Sequence, residues 1–147
     1  MKRQIPLCVV SLLGLLPSGA LANDLSSDVV CTPDTAARGS TVTATVTFQN
    51  FDPSSFVISK YALMQHFGGL NFSGPKNNAF ASPITIPAAS FTGSSTTPGT
   101  ASTTISFTMP VSVLPKQLVN TGFGFWGTKG STTKKIRNTS GCSVEAQ

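Results

Sequence analysis

"STVTATVTFQN", residues 40–50, decides the fold class. Val42, Ala44, Val46 and Phe48 alternate there with Thr41, Thr43, Thr45 and Thr47. Successive side chains of a strand point to opposite faces, so the apolar set faces one way and the threonines the other. A helix would scatter both sets around its axis. The stretch therefore predicts a strand with one buried face. Gly39 and Ser40 turn the chain into it, and Asn50 with Asp52-Pro53 ends it.

The same punctuation continues on both sides. "DVVCTPD" reads as a short edge strand stopped by Pro33. "SFVISKYALMQ" (55–65) opens with β-branched and aromatic residues and favours strand over helix, although Phe56, Ile58, Ala62 and Met64 keep a period of two only with Lys60 in their midst. Residues 65–82 are rich in Gly and Asn, with phenylalanines embedded, and read as a loop. "PITIP" is a short strand fenced by Pro83 and Pro87, and "SFTGSSTTPGT" a loop turning at Pro98-Gly99. "ASTTISFTMPVSV" (101–113) alternates again, with Thr103, Ile105, Phe107, Met109 and Val111 on one side. Residues 118–128 and 131–138 form the last two long strands, and "CSVEA" can extend the final one past a kink at Gly141. About seven strands, Gly/Pro turns and no amphipathic helix predict an all-β antiparallel sandwich.

The N-terminus carries a different signal. "MKRQIPLCVVSLLGLLPSGALA", residues 1–22, has two cations, an apolar run from Ile5 to Leu16, a break at Pro17-Ser18-Gly19 and small residues at Ala20 and Ala22. That is the layout of a secretory signal peptide cleaved after Ala22, and Cys8 leaves with it. Residues 23–147 are then a single domain, secreted or periplasmic, with no transmembrane segment. Ten Lys and Arg against five Asp and Glu give the whole chain +5, and loss of Lys2 and Arg3 lowers this to +3. So small an excess argues against nucleic-acid binding. Two cysteines remain, Cys31 and Cys142, which in an oxidising compartment most simply form one disulfide. Two free thiols or an intermolecular bridge are the alternatives.

"CTPDTAARGSTVTATVTFQN", residues 31–50, resembles the opening of bacterial extracellular immunoglobulin-like domains: a proline, a glycine turn and an alternating Thr/Val strand ending in Asn. The resemblance implies an immunoglobulin-like sandwich in an extracellular setting and implies no activity. The chain departs from antibody-type domains, having no tryptophan on its third strand and cysteines near its two ends. The implied disulfide would join the first and last strands.

Catalytic chemistry has little to use. His66 is the only histidine, there is no G-x-S-x-G, and the S-x-x-K spacings at 73–76 and 131–134 lack the helix that would join serine to lysine. Scattered carboxylates offer neither metal-ligand spacing nor a convergent pair, so no catalytic residue, metal site or cofactor is expected. In "GFGFWG" (122–127), Phe123 and Phe125 share one face of a strand, and Trp126 takes the other with Gly124. Trp126 can therefore be a stacking platform, with Lys134, Lys135 and Arg137 bringing positive charge nearby, or it can cover the core beside solvated edge charges. Phe67 and Phe72, in the 65–82 stretch, are further candidates for contact with a partner. The expected function is a secreted or periplasmic binding module without catalysis, whose ligand is a cell-envelope protein or polysaccharide. The alternatives are a structural or assembly subunit of a surface appendage or layer, and a membrane-active toxin or small hydrolase.

Overall fold

A computed structural model describes residues 25–73, 78–129 and 132–147, with side chains described for all of these except 71–73 and 132–139. The leader assigned to residues 1–22 lies outside the described residues. In chain order the strands are β1 (Leu25–Thr32), β2 (Thr35–Ala36), β3 (Thr41–Asn50), β4 (Phe56–Phe67), β5 (Leu70–Ser73), β6 (Asn78–Ile86), β7 (Ser90–Thr92), β8 (Ser95–Thr97), β9 (Gly99–Thr108), β10 (Leu118–Lys129) and β11 (Thr132–Ala146). Seven have eight residues or more, and four are short additions.

One sheet is β1-β3-β9 and the other β2-β11-β10-β4-β5, with β6 also paired to β4 and a separate β7–β8 hairpin. All pairings are antiparallel except the short β2–β11 ladder. This is an immunoglobulin-like sandwich: the chain crosses between sheets after β1, after β2 and after β3, passes back between β6 and β9, and crosses again after β9. The segment expected to loop at 65–82 instead turns tightly at Gly68 and Gly69, with φ of 56° and 76°, and forms β5 and β6. A second expected loop holds the β7–β8 hairpin, turning at Gly93 (φ 61°) rather than at Pro98-Gly99.

The alternating residues of β3 behave as their pattern demands. Val42, Ala44, Val46 and Phe48 are fully buried, while the threonines between them lie on the other face. Phe48 meets Phe125 of the opposite sheet edge-on with centroids 4.9 Å apart, and Phe107 meets Phe123 at 6.3 Å. These inter-sheet pairs are the centre of the core. Val111, expected on the inner side with Met109, lies past the end of β9 and is 74% exposed, whereas Met109 is buried.

The broken period of β4 has a specific cause. Its register against β10 shifts between Trp126 and Gly127, which pair with Lys60 and Ile58 and leave Ser59 as an extra residue. A bulge of this kind reverses which residues face inward. Phe56 and Ile58 are buried before it; beyond it Tyr61 and Leu63 pack on the core, while Met64 turns outward.

Each side of the sandwich has its own fastening. On the β1/β11 side, Cys31 and Cys142 form a disulfide with a Cα–Cα distance of 5.7 Å, joining the first and last strands across the two sheets. The hydroxyls of Ser27 and Ser140 share a hydrogen bond along the same seam. At one end of the sandwich, Asn50 is fully buried and donates to the carbonyls of Ser54 (2.9 Å) and Pro87 (2.7 Å). Its Oδ1 accepts from the Asp52 amide at 2.8 Å, and Asp52 in turn accepts from the Ser54 amide and pairs with Lys129. The Lys129 ammonium also lies 5.7 Å from the centre of the Phe56 ring. A buried amide must find partners for both its ends, and Asn50 does so by tying the β3–β4 turn to the end of β6.

Two outcomes follow from this packing. Replacing Cys31 and Cys142 together by serine is expected to lower unfolding free energy by about 2–5 kcal/mol, read as a lower urea midpoint. Gly127→Ala is expected to cost about 1–3 kcal/mol, because its methyl would sit 2.5 Å from the Val57 carbonyl oxygen and 2.9 Å from Ile58; thermal unfolding checks it, with Gly122→Ala, in open space, as the neutral comparison.

Candidate binding surface

Strand β10 carries its functional asymmetry in its sequence. Thr121, Phe123, Phe125 and Gly127 face inward and are buried, whereas Gly122, Gly124, Trp126 and Thr128 face outward and are partly covered. Because register partners share a face of the sheet, the ladders name the neighbours of that outer row. Asn120 stands opposite His66, Gly122 opposite Met64, Gly124 opposite Ala62 and Trp126 opposite Lys60. On the other flank, Asn120 pairs with Ser143, Gly122 with Gly141 and Trp126 with Lys135.

This face has a low floor. A Cβ placed on Gly122 would meet nothing within 4 Å, and Ala62 projects only a methyl beside Gly124. The Trp126 indole lies along the strand, its six-membered ring over Gly124: Cη2 and Cζ3 would stand 3.6 and 3.8 Å from a Cβ there. An aromatic ring laid over a glycine shields the bare backbone below it. Trp126 is half-buried, neither enclosed in the core nor fully open to solvent. Around the floor stand Met64, 55% exposed, and the exposed side chains of Lys60, His66 and Asn120. Ser143 Oγ donates to Asn120 Oδ1 at 2.6 Å, which fixes a polar pair at the far end of the strip from Trp126.

The residues singled out in the sequence do not all arrive at this surface. Trp126 does. Lys134, Lys135 and Arg137 lie on β11, with Lys135 directly in register with Trp126, but their side chains fall outside the described residues. Phe67 does not contribute: it is 3% exposed and belongs to the core, because the Gly68-Gly69 turn returns the chain immediately and leaves the last residue of β4 facing inward. Phe72 pairs with Gln65 through β5, and its side chain is outside the described residues. Lys60, Ala62 and Met64 were not legible as part of this face, since a continuous alternation places Ala62 and Met64 with buried Phe56 and Ile58. The charged Lys60 inside that apolar row was the one available sign of the bulge.

Among the described residues, no three or more His, Cys, Asp or Glu side chains gather where they could hold a metal ion, and no helix is long and apolar enough to cross a membrane. No family model and no curated protein matches the chain. Among the solved structures that the chain matches are two distant ones. Spo0M, the sporulation control protein of Bacillus subtilis, is 13% identical, with a TM-score of 0.46 over 84% of this chain and 49% of its own. This chain thus spans about half the length of Spo0M. A protein from Archaeoglobus fulgidus is 13% identical, with a TM-score of 0.48 over 84% of this chain and 95% of its own.

Trp126 is the single tryptophan of the chain, so fluorescence excited beyond the absorption of Tyr61 reports this surface alone. Native emission is expected between that of a core indole and that of a hydrated one, with clear quenching by acrylamide. Emission fully shifted to the blue and resistant to quenching would contradict the half-open ring.

Proposed function

We propose that this chain is an exported binding module without catalysis, whose outer β4–β10–β11 surface takes a polysaccharide of the cell envelope. The observation that carries this reading is the strip of Gly122, Gly124 and Ala62, with Trp126 at one end and the Asn120–Ser143 pair at the other. A sugar ring has a flat C–H face and a rim of hydroxyls. An aromatic ring on a bare sheet suits the first, and side-chain amide, hydroxyl and ammonium groups suit the second. Lys60 beside Trp126 favours glycans bearing carboxylates or phosphates. The leader-like residues 1–22 and the Cys31–Cys142 bond support an oxidising, extracytoplasmic setting. A cell-envelope protein is the other occupant such a surface admits.

The test is co-sedimentation of the protein with cellulose, chitin, peptidoglycan and anionic vesicles, comparing wild type, Trp126→Ala and Lys60→Ala. Binding to one polysaccharide is expected to fall at least about tenfold in Trp126→Ala, as for loss of a stacking anchor, and less in Lys60→Ala, with far-UV spectra unchanged. No retention on any glycan would remove the polysaccharide reading, and vesicle binding alone would point to membrane activity.

A further inference from the structure

An open sheet edge offers a row of backbone donors and acceptors to any other strand, and proteins usually blunt it. The edges here are treated unequally. Strand β2 has two residues and β5 has four. Strand β6 carries Pro83 in its middle. Strand β1 bears Asp28, is followed by Pro33, and is tied to β11 through Cys31 and Ser27. Strand β9 has none of these devices. Its ten residues, GTASTTISFT, contain no charge and no proline, and its ladder with β3 runs from Gly99 to Thr108 without a register shift. Among the described residues no other strand pairs with it. Among the described residues its neighbours on that flank are Pro87, which lies against Gly99, Gln65, whose Nε2 donates to the Thr108 carbonyl at 3.4 Å, and strand β6, which comes close to it without pairing.

We infer that the free edge of β9 is a self-association surface, pairing antiparallel with β9 of a second copy to make one continuous six-stranded sheet. The occupant is argued from the strand's own complementarity. Pairing about Thr104 sets Thr104 against Thr104 of the second copy and Ser102 against Ser106, all on the outer face, and stops short of Thr108, whose carbonyl Gln65 already holds. On the inner face it sets Ile105 against Thr103 and Phe107 against Ala101. Hydroxyl pairs of this kind already join β9 to β3, where Thr47 and Ser102 lie 3.2 Å apart, and cross-strand Thr–Thr and Thr–Ser pairs favour strand association. The apolar inner row continues from one sandwich into the next, and no like charges meet. A two-fold axis through Thr104 closes the assembly as a dimer, because the pairing uses the same edge of β9 in both copies.

Sedimentation equilibrium between about 10 µM and about 1 mM, the range of weak protein association, tests this with wild type, Thr104→Lys, Thr104→Glu and an equimolar mixture of the two variants. Thr104 is exposed, so both variants are expected to fold, with far-UV spectra as the check. Wild type should approach twice the monomer mass as concentration rises. Each variant alone should associate at least about tenfold more weakly, since like charges would face each other across the axis, and the mixture should recover dimer through the opposite pair. A wild type that stays monomeric throughout, a dimer indifferent to both substitutions, or a mixture that does not recover would each overturn the inference. Trp126→Ala leaves the edge untouched and should dimerise as wild type does, which separates this result from the polysaccharide reading.

Discussion

Phe48 against Phe125, with Phe107 against Phe123 beside it, is the contact on which the rest of the molecule depends. Among the described residues the two sheets share no ladder, so no backbone pairing between strands holds one over the other. The aromatic pairs supply the apolar area that makes face-to-face stacking favourable, and their edge-on geometry suits the ring quadrupoles. Everything outside follows from which side of each strand is committed to this layer. The outward rows are what remains for recognition.

The fastenings at the margins then limit how the sheets can slide or open. The Cys31–Cys142 bond clasps the side where β1 and β11 adjoin, and the Asn50–Asp52–Lys129 cluster closes one end. Most of the polar groups committed to structure sit at these margins, in Asn50 and Asp52 above all. The two broad outer faces are left with different chemistry. On one, Gly122, Gly124 and Ala62 leave the sheet bare beside Trp126. On the other, the threonines of β3 and the Thr/Ser row of β9 make an uncharged surface that runs to an open edge. The proposed polysaccharide surface and the proposed self-association edge therefore lie on opposite sheets.

Strand β10 was legible almost residue by residue. Phe123 and Phe125 alternate with Gly122, Gly124 and Trp126, and large apolar side chains two apart can share only one face. Strand β3 was legible for the same reason. Less readable was β4, where Ser59 interrupts the phase and moves Met64 from the expected inner row to the outer one. Phe67 was misplaced as a partner-binding ring because the glycines after it suggest a long loop, when they make a two-residue turn. Both errors share a cause: one added residue or one tight turn reverses or ends a two-residue pattern.

The sequence by itself determined the all-β class and the inward rows of β3 and β10, and made a disulfide between two cysteines at the extremities of the domain the simplest expectation. Those properties rest on period-two alternation and on cysteine number, both local or countable. Only the tertiary structure decided which strands adjoin, and so brought Lys60, Ala62 and Met64 beside Gly122, Gly124 and Trp126 and left β9 as the undefended edge. Register and strand order depend on bulges, turns and the competition of every strand for one core. No single strand's pattern contains them.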